Sequence, residues 1–295
     1  MPRLGTVQQK IPCAFTTELR QEAATKRPNQ SYRVLANGEL SPTALAANIH
    51  QAVATEKVDG TCCYVTNYKE FTWNIDSDFR AVPDAWIPAH GVAQSEGRPQ
   101  PDENGHIPGW IPVEKGSKQY CWHLSAVNYE TGSALVLRPS SGKQLLEITV
   151  IPLMELLEQT LELIGTHING NPYGLGSKKQ PLHLLVSHGS LQIENPPPLD
   201  LMDLVAWFKE SEEAKVEGIV WHCANGVLVK LHRHHLGLEW PLLRPFLSTR
   251  PLSINVDLTK FTWDFEANSS FVALARLHGK QFDRVKDIAW EDIES

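Results

Sequence analysis

The chain has 295 residues, 42% hydrophobic and 21% charged, which is globular material long enough to bury a sizeable core as one large domain or two modest ones. A net charge of −7 excludes a molecule coated in basic surface, so any contact with nucleic acid has to be local. No run of 18 apolar residues offers a membrane-spanning helix, and the N-terminus MPRLGTVQQKIPC lacks a signal peptide's apolar stretch, which points to an intracellular protein, cytoplasmic or nuclear.

The first informative stretch is TEKVDGT, residues 55–61, where Lys57 and Asp59 stand against Gly60 just before CCYV, a run suited to a strand. Cys62 and Cys63 within it point to opposite faces of such a strand and are poor disulfide partners. With Cys13, Cys121 and Cys223 they form an odd set without CxxC spacing, so they read as buried thiols in a reducing compartment rather than as a structural zinc site. Residues 88–118 are rich in Gly, Pro and polar residues and read as an extended loop with short strands at most. Two β-leaning runs, Gln119 to Asn128 and Ser133 to Arg138, flank Glu130-Thr131-Gly132 and predict a hairpin.

Further along, Pro152 can open a helix, and Leu153, Leu156, Leu157, Leu161 and Ile164 keep the helical spacing. GTHINGNPYGLGSKK (165–179) reads as a loop ending in Lys178 and Lys179, which are ordinary solubilising lysines. Leu182 to Val186 reads as a buried strand and Asp200 to Phe208 as a short helix. The stretch EGIVWHCANGVLVKLHRHH, 217–235, places Asn225-Gly226 between two β-rich runs, the strongest short-range hairpin signal. An even-numbered loop puts Glu217, Ile219 and Trp221 on one face with Leu228, Lys230 and His232, leaving Val220, Val229 and Leu231 to the core. A three-residue loop with a bulge breaks that deduction.

A lysine becomes a nucleophile when its amine is partly desolvated or lies beside other cations. Next to an α-phosphate it can attack phosphorus and store the nucleotide as a phosphoramide. In K-x-D-G the two-residue offset sets Lys57 and Asp59 on one side of an extended segment, and Gly60 permits close approach of a ligand or a sharp bend. A surface lysine beside an Asp-Gly turn is the plainer reading of this tetrapeptide alone. The order of further features adds to it: Glu162 in TLELIG, Glu217 in EGIVW, Lys230 ending VLVK.

That succession resembles the covalent nucleotidyltransferase superfamily of ATP-dependent ligases and mRNA capping enzymes. Within it, RLGTVQQKIPC, TEKVDGTCCYV, PDENGHIPGW, LLEQTLELIGTHINGNPYGLGSKK, EGIVWHC and KLHRHHLGL resemble the vertebrate ATP-dependent 5′-to-3′ RNA ligases over most of residues 1–255. The resemblance implies an α+β fold: a nucleotidyltransferase (ATP-grasp-like) adenylation domain over 1–255 with antiparallel sheets flanked by helices, a small, partly helical extension over 256–295, and no OB-fold. It implies that Lys57 carries AMP taken from ATP, passes it to the 5′-phosphate of an RNA, and that a 3′-hydroxyl then displaces it, an RNA repair reaction. Glu217 would bind Mg2+ or Mn2+ or tune the lysine, and Lys230 would neutralise the α-phosphate. Glu56, Asp59, Gly60, Glu162 and Arg233 would help hold ATP, with Glu162 at the ribose, Glu56 near the adenine and Arg233 on phosphate or RNA. The family places Glu162 on a strand, which ends the helix after Pro152 near Gln159. The histidines of LHRHH read as a basic strip touching ATP phosphates or RNA.

The chain also departs from the family. Relatives carry an arginine on a strand after the nucleophile, whereas here TCCYVTNYK passes almost directly into EFTWNIDSDF, with no arginine between Lys57 and Arg80 and about thirty residues missing after Tyr68. Only 65 residues follow Lys230, too few for the usual OB module, and Phe271 to Ile288 look partly helical. Three readings stand: an RNA ligase working through Lys57, a catalytically impaired module of the same fold that holds ATP or RNA ends, and a metal-dependent hydrolase using the histidines.

Overall fold

Lys57 ends one strand and Thr61 begins the next, yet the two strands enter different sheets. The structure, a computed structural model, describes residues 4, 6–22, 32–66, 71–74, 87–95, 98–100, 107–113, 121–140, 145–261 and 265–288. In chain order its main strands are β1 (Phe15–Arg20), β2 (Arg33–Leu40), β3 (Val53–Lys57), β4 (Thr61–Val65), β5 (Phe71–Asn74) and β6 (Gly109–Pro112). There follow β7 (Ser133–Pro139), β8 (Leu146–Pro152), β9 (Gln159–Gly165), β10 (His183–Ser187), helix α1 (Leu201–Glu210), β11 (Gly218–His222), β12 (Leu228–His232) and β13 (Leu252–Asn255).

Contacts divide the chain into two units. The first comprises Met1–Gly5, Ile11–Asp59 and Gly189–Ser248. Its central sheet runs β12-β11-β3, all antiparallel, and β1 pairs with β2 beside it. One face of β3, β11 and β12 offers Ala54, Ile219, Trp221, Val229 and Leu231 to a core closed by Leu204 and Phe208 of α1. That helix starts where its sequence says it should. The Asp200 carboxylate accepts the N–H groups of Met202 (2.8 Å) and Asp203 (3.1 Å), satisfying donors that a helix start leaves without partners.

The second unit comprises Thr6–Lys10, Gly60–His188 and Thr249–Ser295. An eleven-stranded sheet runs through its described residues, with β13-β8-β7-β10-β9-β4-β5-β6 in succession. Most neighbours are antiparallel, but β7 with β10 and β8 with β13 are parallel, so the α+β class stands while the sheet is mixed. Residues 249–295 group with this unit, because β13 joins its sheet, rather than standing apart after residue 255. Cys63, Leu161, Leu163 and Leu185 pack on one face of the sheet.

Three local expectations change. Among the described residues of the run 119–128, Cys121–Ala126 are helical and Val127–Asn128 pair with β7 as a short hairpin, because β propensity yields to packing of Trp122 against His183 and His167 at centroid distances of 5.2 and 5.0 Å. The helix after Pro152 shrinks to a 3-10 turn, Leu153–Leu156, and the strand containing Glu162 takes over at Gln159. Among the described residues of the tail, helix forms over Ser270–Ala275, a shorter span than Phe271 to Ile288, with 3-10 turns at Leu258–Lys260 and Val285–Asp287.

The β11–β12 hairpin also has a different parity. Gly226 N–H bonds the Cys223 carbonyl (2.9 Å), Cys223 N–H bonds the Val227 carbonyl (2.9 Å), and Gly226 sits at φ +84°, the left-handed region. This is a three-residue loop, Ala224-Asn225-Gly226, with a glycine bulge, so cross-strand partners share parity: Ile219 faces Leu231, Val220 faces Lys230 and Gly218 faces His232. Lys230 therefore lies on the face of Gly218 and Val220, and Ile219 and Trp221 go to the core.

Candidate functional site

The register sets two rows across the non-core face of the first unit's sheet: Thr55, Val220 and Lys230 in one, Lys57, Gly218 and His232 in the next. Gly218 leaves the second row open in the middle. A Cβ there would collide with the Leu231 carbonyl oxygen, so the close approach of β11 to β12 itself requires glycine. Glu217, one residue ahead of β11 and free of its alternation, lays its carboxylate across that gap. Lys57 Nζ donates to Glu217 Oε2 at 2.6 Å, and His232 Nε2 meets Glu217 Oε1. The carboxylate is nearly inaccessible, with 3% of its side chain exposed, whereas the lysine keeps 23%. A deeply buried acid thus has an ammonium on one oxygen and an imidazole on the other, and part of the lysine side chain still reaches solvent.

Backbone chemistry fixes the imidazoles. The N–H of His234 donates to His232 Nδ1 (3.3 Å), and the N–H of His232 donates to His235 Nδ1 (3.2 Å). A peptide N–H can only donate, so each Nδ1 must be bare, and His232 carries its proton on Nε2, aimed at Glu217. His235 is neutral for a second reason: burial, reinforced by the charges of Lys230 and Lys57, lowers its pKa to about 3. The LHRHH segment is therefore no basic strip. β12 ends at His232, and Arg233 to Leu236 coil into a 3-10 turn whose start the two histidines cap.

Arg233 is buried in that turn, and burial lowers its pKa. Its guanidinium donates to the carbonyls of Glu239 (2.9 Å), Ala214 (2.9 Å) and Phe208 (3.2 Å) and sits 5.3 Å from the centre of the Phe208 ring. It pins the turn to α1, and a contact with phosphate or RNA is not available to it in this arrangement. Glu56 is buried on β3, its N–H donating to the Leu191 carbonyl (2.8 Å). Asp59 is buried and accepts the Trp240 indole N–H at 2.6 Å.

Gly60 and Glu162 fall in the second unit. A side chain on Gly60 would strike the Leu163 carbonyl oxygen and the Glu162 side chain, which is the close approach expected of this glycine. Glu162 lies opposite Cys62 on β4 and accepts from His188 Nε2 at 2.8 Å. Cys62 is half-buried and outside any disulfide, whereas Cys63 faces the core, where burial raises its thiol well above its ordinary range. Tyr68 and Arg80, at the point of the missing segment, lie outside the described residues.

Sequence reasoning named Lys57, Glu217 and Lys230, and the structure brings the first two into contact with the third on the same face. It missed His232 as the carboxylate's second partner, Trp240 as the partner of Asp59, and His188. His232 alone carried a signal, its place on the strand two residues after Lys230.

A mixed α+β chain whose sheet presents a lysine, a buried carboxylate and a second lysine on one face falls within a known class of proteins. The family model of RNA ligase 1 matches it over residues 1–70 and 66–291. It is 51% identical to proteins named RNA ligase 1 from Rattus norvegicus and Mus musculus, over 98% of this chain and 99% of theirs. To the Danio rerio protein of that name it is 48% identical over 99% of this chain and all of the other. The chain belongs to the RNA ligase 1 family and is an enzyme of that family.

Proposed function

We propose that this chain is an ATP-dependent RNA ligase that joins a 5′-phosphate to a 3′-hydroxyl through adenylylated Lys57 and an adenylylated RNA end, on a nucleotidyltransferase fold, and that it serves RNA repair inside the cell. The observation that carries the reading is the 2.6 Å contact between Lys57 Nζ and Glu217 Oε2. An amine held against a carboxylate keeps its proton, so it must shed that proton before it can attack the α-phosphate of ATP. Glu217 is the acceptor already in place. Its other oxygen is held by the neutral imidazole of His232, which keeps the carboxylate aimed at the lysine without competing for a proton.

Lys230, one row along the same face, supplies positive charge for the α-phosphate as it becomes crowded with negative oxygens. Asp59, fixed by Trp240, Glu56, which pairs with Ile219 and so points to the face opposite Lys57, and Gly60 and Glu162 are the further residues that family likeness assigns to ATP. A divalent ion fits this donor set: Mg2+ and Mn2+ take hard oxygen, usually one or two carboxylates with the substrate's phosphates. Glu217 is the residue that would hold it, and the ion would supply charge neutralisation at the phosphates.

A second reading has its own observation. The family match falls in two pieces that meet at residues 66–70, and the alignment with the rat protein spans 321 positions against 295 residues here. Relatives carry residues this chain lacks, which suits a module that holds ATP or RNA ends without turnover. One experiment separates the two. The protein is incubated with α-labelled ATP and Mg2+, then chased with 5′-phosphorylated RNA or the matching DNA. Ligation predicts an acid-labile label on the protein that moves to RNA and ends in a joined strand. ATP bound without any label on the protein favours the holding module, and equal joining of DNA defeats the RNA claim.

A further inference from the structure

Glu162 is flanked by two groups that adenylylation does not use. β9 lies between β4 and β10, and on the face turned away from Leu161 and Leu163 Glu162 stands opposite Cys62 of β4. Two residues earlier on the same face is Thr160, whose carbonyl accepts the N–H of His188, just past the end of β10 (3.1 Å). The Cys62 thiol, the Glu162 carboxylate and the His188 imidazole converge so that one donor atom from each lies within 4.8 Å of the others. All three are half-buried, with 12% of the Glu162 side chain and 18% of the His188 side chain exposed.

We propose that Cys62, Glu162 and His188 form a binding site for a thiophilic transition-metal ion, with Zn2+ the ion its chemistry suits. Sulfur, imidazole nitrogen and one carboxylate oxygen are the mixed donor set of a three-ligand zinc site with its fourth position open to water, and a thiolate selects against Mg2+ and Ca2+. Cysteine spacing could not show this, because the thiol's partners are supplied by neighbouring strands and not by other cysteines.

The support behind the histidine is already built. Without metal, His188 Nε2–H donates to Glu162 (2.8 Å) while Nδ1 accepts from the Thr160 hydroxyl (2.9 Å). On binding, the Nε2 proton moves to Nδ1, Nε2 turns its lone pair to the ion, and Nδ1–H donates to Thr160 Oγ1. That oxygen also accepts the Val7 N–H at 2.9 Å, and its two lone pairs serve both donors. Such a hydrogen bond on the far ring nitrogen is the usual support of a ligating histidine. The Cys62 thiol loses its proton to solvent as the metal–sulfur bond forms, so no oxidant or reductant is involved. Because family likeness gives Glu162 to the ribose of ATP, zinc occupancy and nucleotide binding compete for one carboxylate, and this consequence alone rests on the proposed function.

The test is a titration of the purified full chain with Co2+ alone, in the absence of ATP and RNA, so its result is independent of ligase activity. The wild type should bind one equivalent with a thiolate-to-cobalt charge-transfer band in the near ultraviolet, and Zn2+ should bleach it. Cys62→Ser should lose the band, His188→Gln should weaken binding, and Thr160→Val should weaken it roughly 10–100-fold, as loss of a supporting partner does. Cys13→Ser, in the other unit, should keep the band in full. Thermal melts of each variant verify folding, and the Thr160 and Cys13 variants carry the test should one of the others unfold. A wild type without a thiolate band at stoichiometric Co2+, or a band that survives Cys62→Ser, overturns the site.

Discussion

Each unit of this protein contains a glutamate bonded to a histidine, and the two pairs face different chemistry. Glu217 and His232 sit on the three-stranded sheet of the first unit, with the Lys57 ammonium on the second carboxylate oxygen. Glu162 and His188 sit on the large sheet of the second, with the Cys62 thiol beside them. In both, Nδ1 has a partner: a backbone N–H that fixes the tautomer of His232, and for His188 a hydroxyl that can serve either tautomer. What differs is the third group. In the proposed function, the ammonium lets the first pair handle a proton and an anionic phosphate. A thiol makes the second a set of metal donors. The same two residue types acquire their function from whichever side chain the adjoining strand supplies.

The comparison breaks first at its carboxylates. Glu217→Gln removes the charge opposite Lys57 and should slow adenylylation by about 10²–10³-fold, the 2.7–4 kcal/mol lost with one electrostatic partner in a transition state, while leaving the cobalt band intact. Quenched-flow labelling measures the first and absorbance the second. A variant that labels at nearly the wild-type rate removes Glu217 from the chemistry.

His235 gives the next largest effect, on stability. The unfolded chain takes up a proton on this residue as pH falls below about 6.5, whereas the folded protein resists until about 3. Acid therefore favours unfolding across that window, and the stability present at neutral pH is lost as pH falls through it. Between pH 6.5 and 4 the loss from this residue is roughly 3 kcal/mol, at 1.36 kcal/mol per unit. Denaturant unfolding of His235→Gln should show a visibly shallower pH slope. An unchanged slope would mean that His235 titrates normally in the fold.

Gly218→Ala is the mildest test and bears on how the carboxylate reaches across its row. The added methyl meets the Leu231 carbonyl, and the strain should destabilise the first unit by about 1–3 kcal/mol in chemical denaturation. Wild-type stability with normal labelling would show that the row is less tightly closed than its register implies.

Local signals were legible wherever one residue governs a short segment. Asp200 announces α1, and Asn225-Gly226 announces the hairpin. The order Lys57, Glu162, Glu217, Lys230 carries the family and hence the lysine–carboxylate contact. The faces of the hairpin were not legible, because adding one residue to a loop inverts every side chain along a strand and nothing local distinguishes a two- from a three-residue loop at ANG. The bond between Asp59 and Trp240 spans 181 positions, and the meeting of Cys62, Glu162 and His188 depends on strand order in an eleven-stranded sheet. Neither leaves a trace in periodicity or spacing. Arg233 misled for a related reason: a cation in a run of histidines looks solvent-facing until the turn buries it against three carbonyls.

The most direct test of the account is to locate the nucleotide. The full chain is incubated with ATP and Mg2+, digested at neutral pH and mapped by tandem mass spectrometry. One adenylyl group on the peptide containing Lys57, and none on any peptide of Lys57→Ala, is the predicted result. An adenylyl group on another residue of the wild type, or equal uptake by Lys57→Ala, contradicts it.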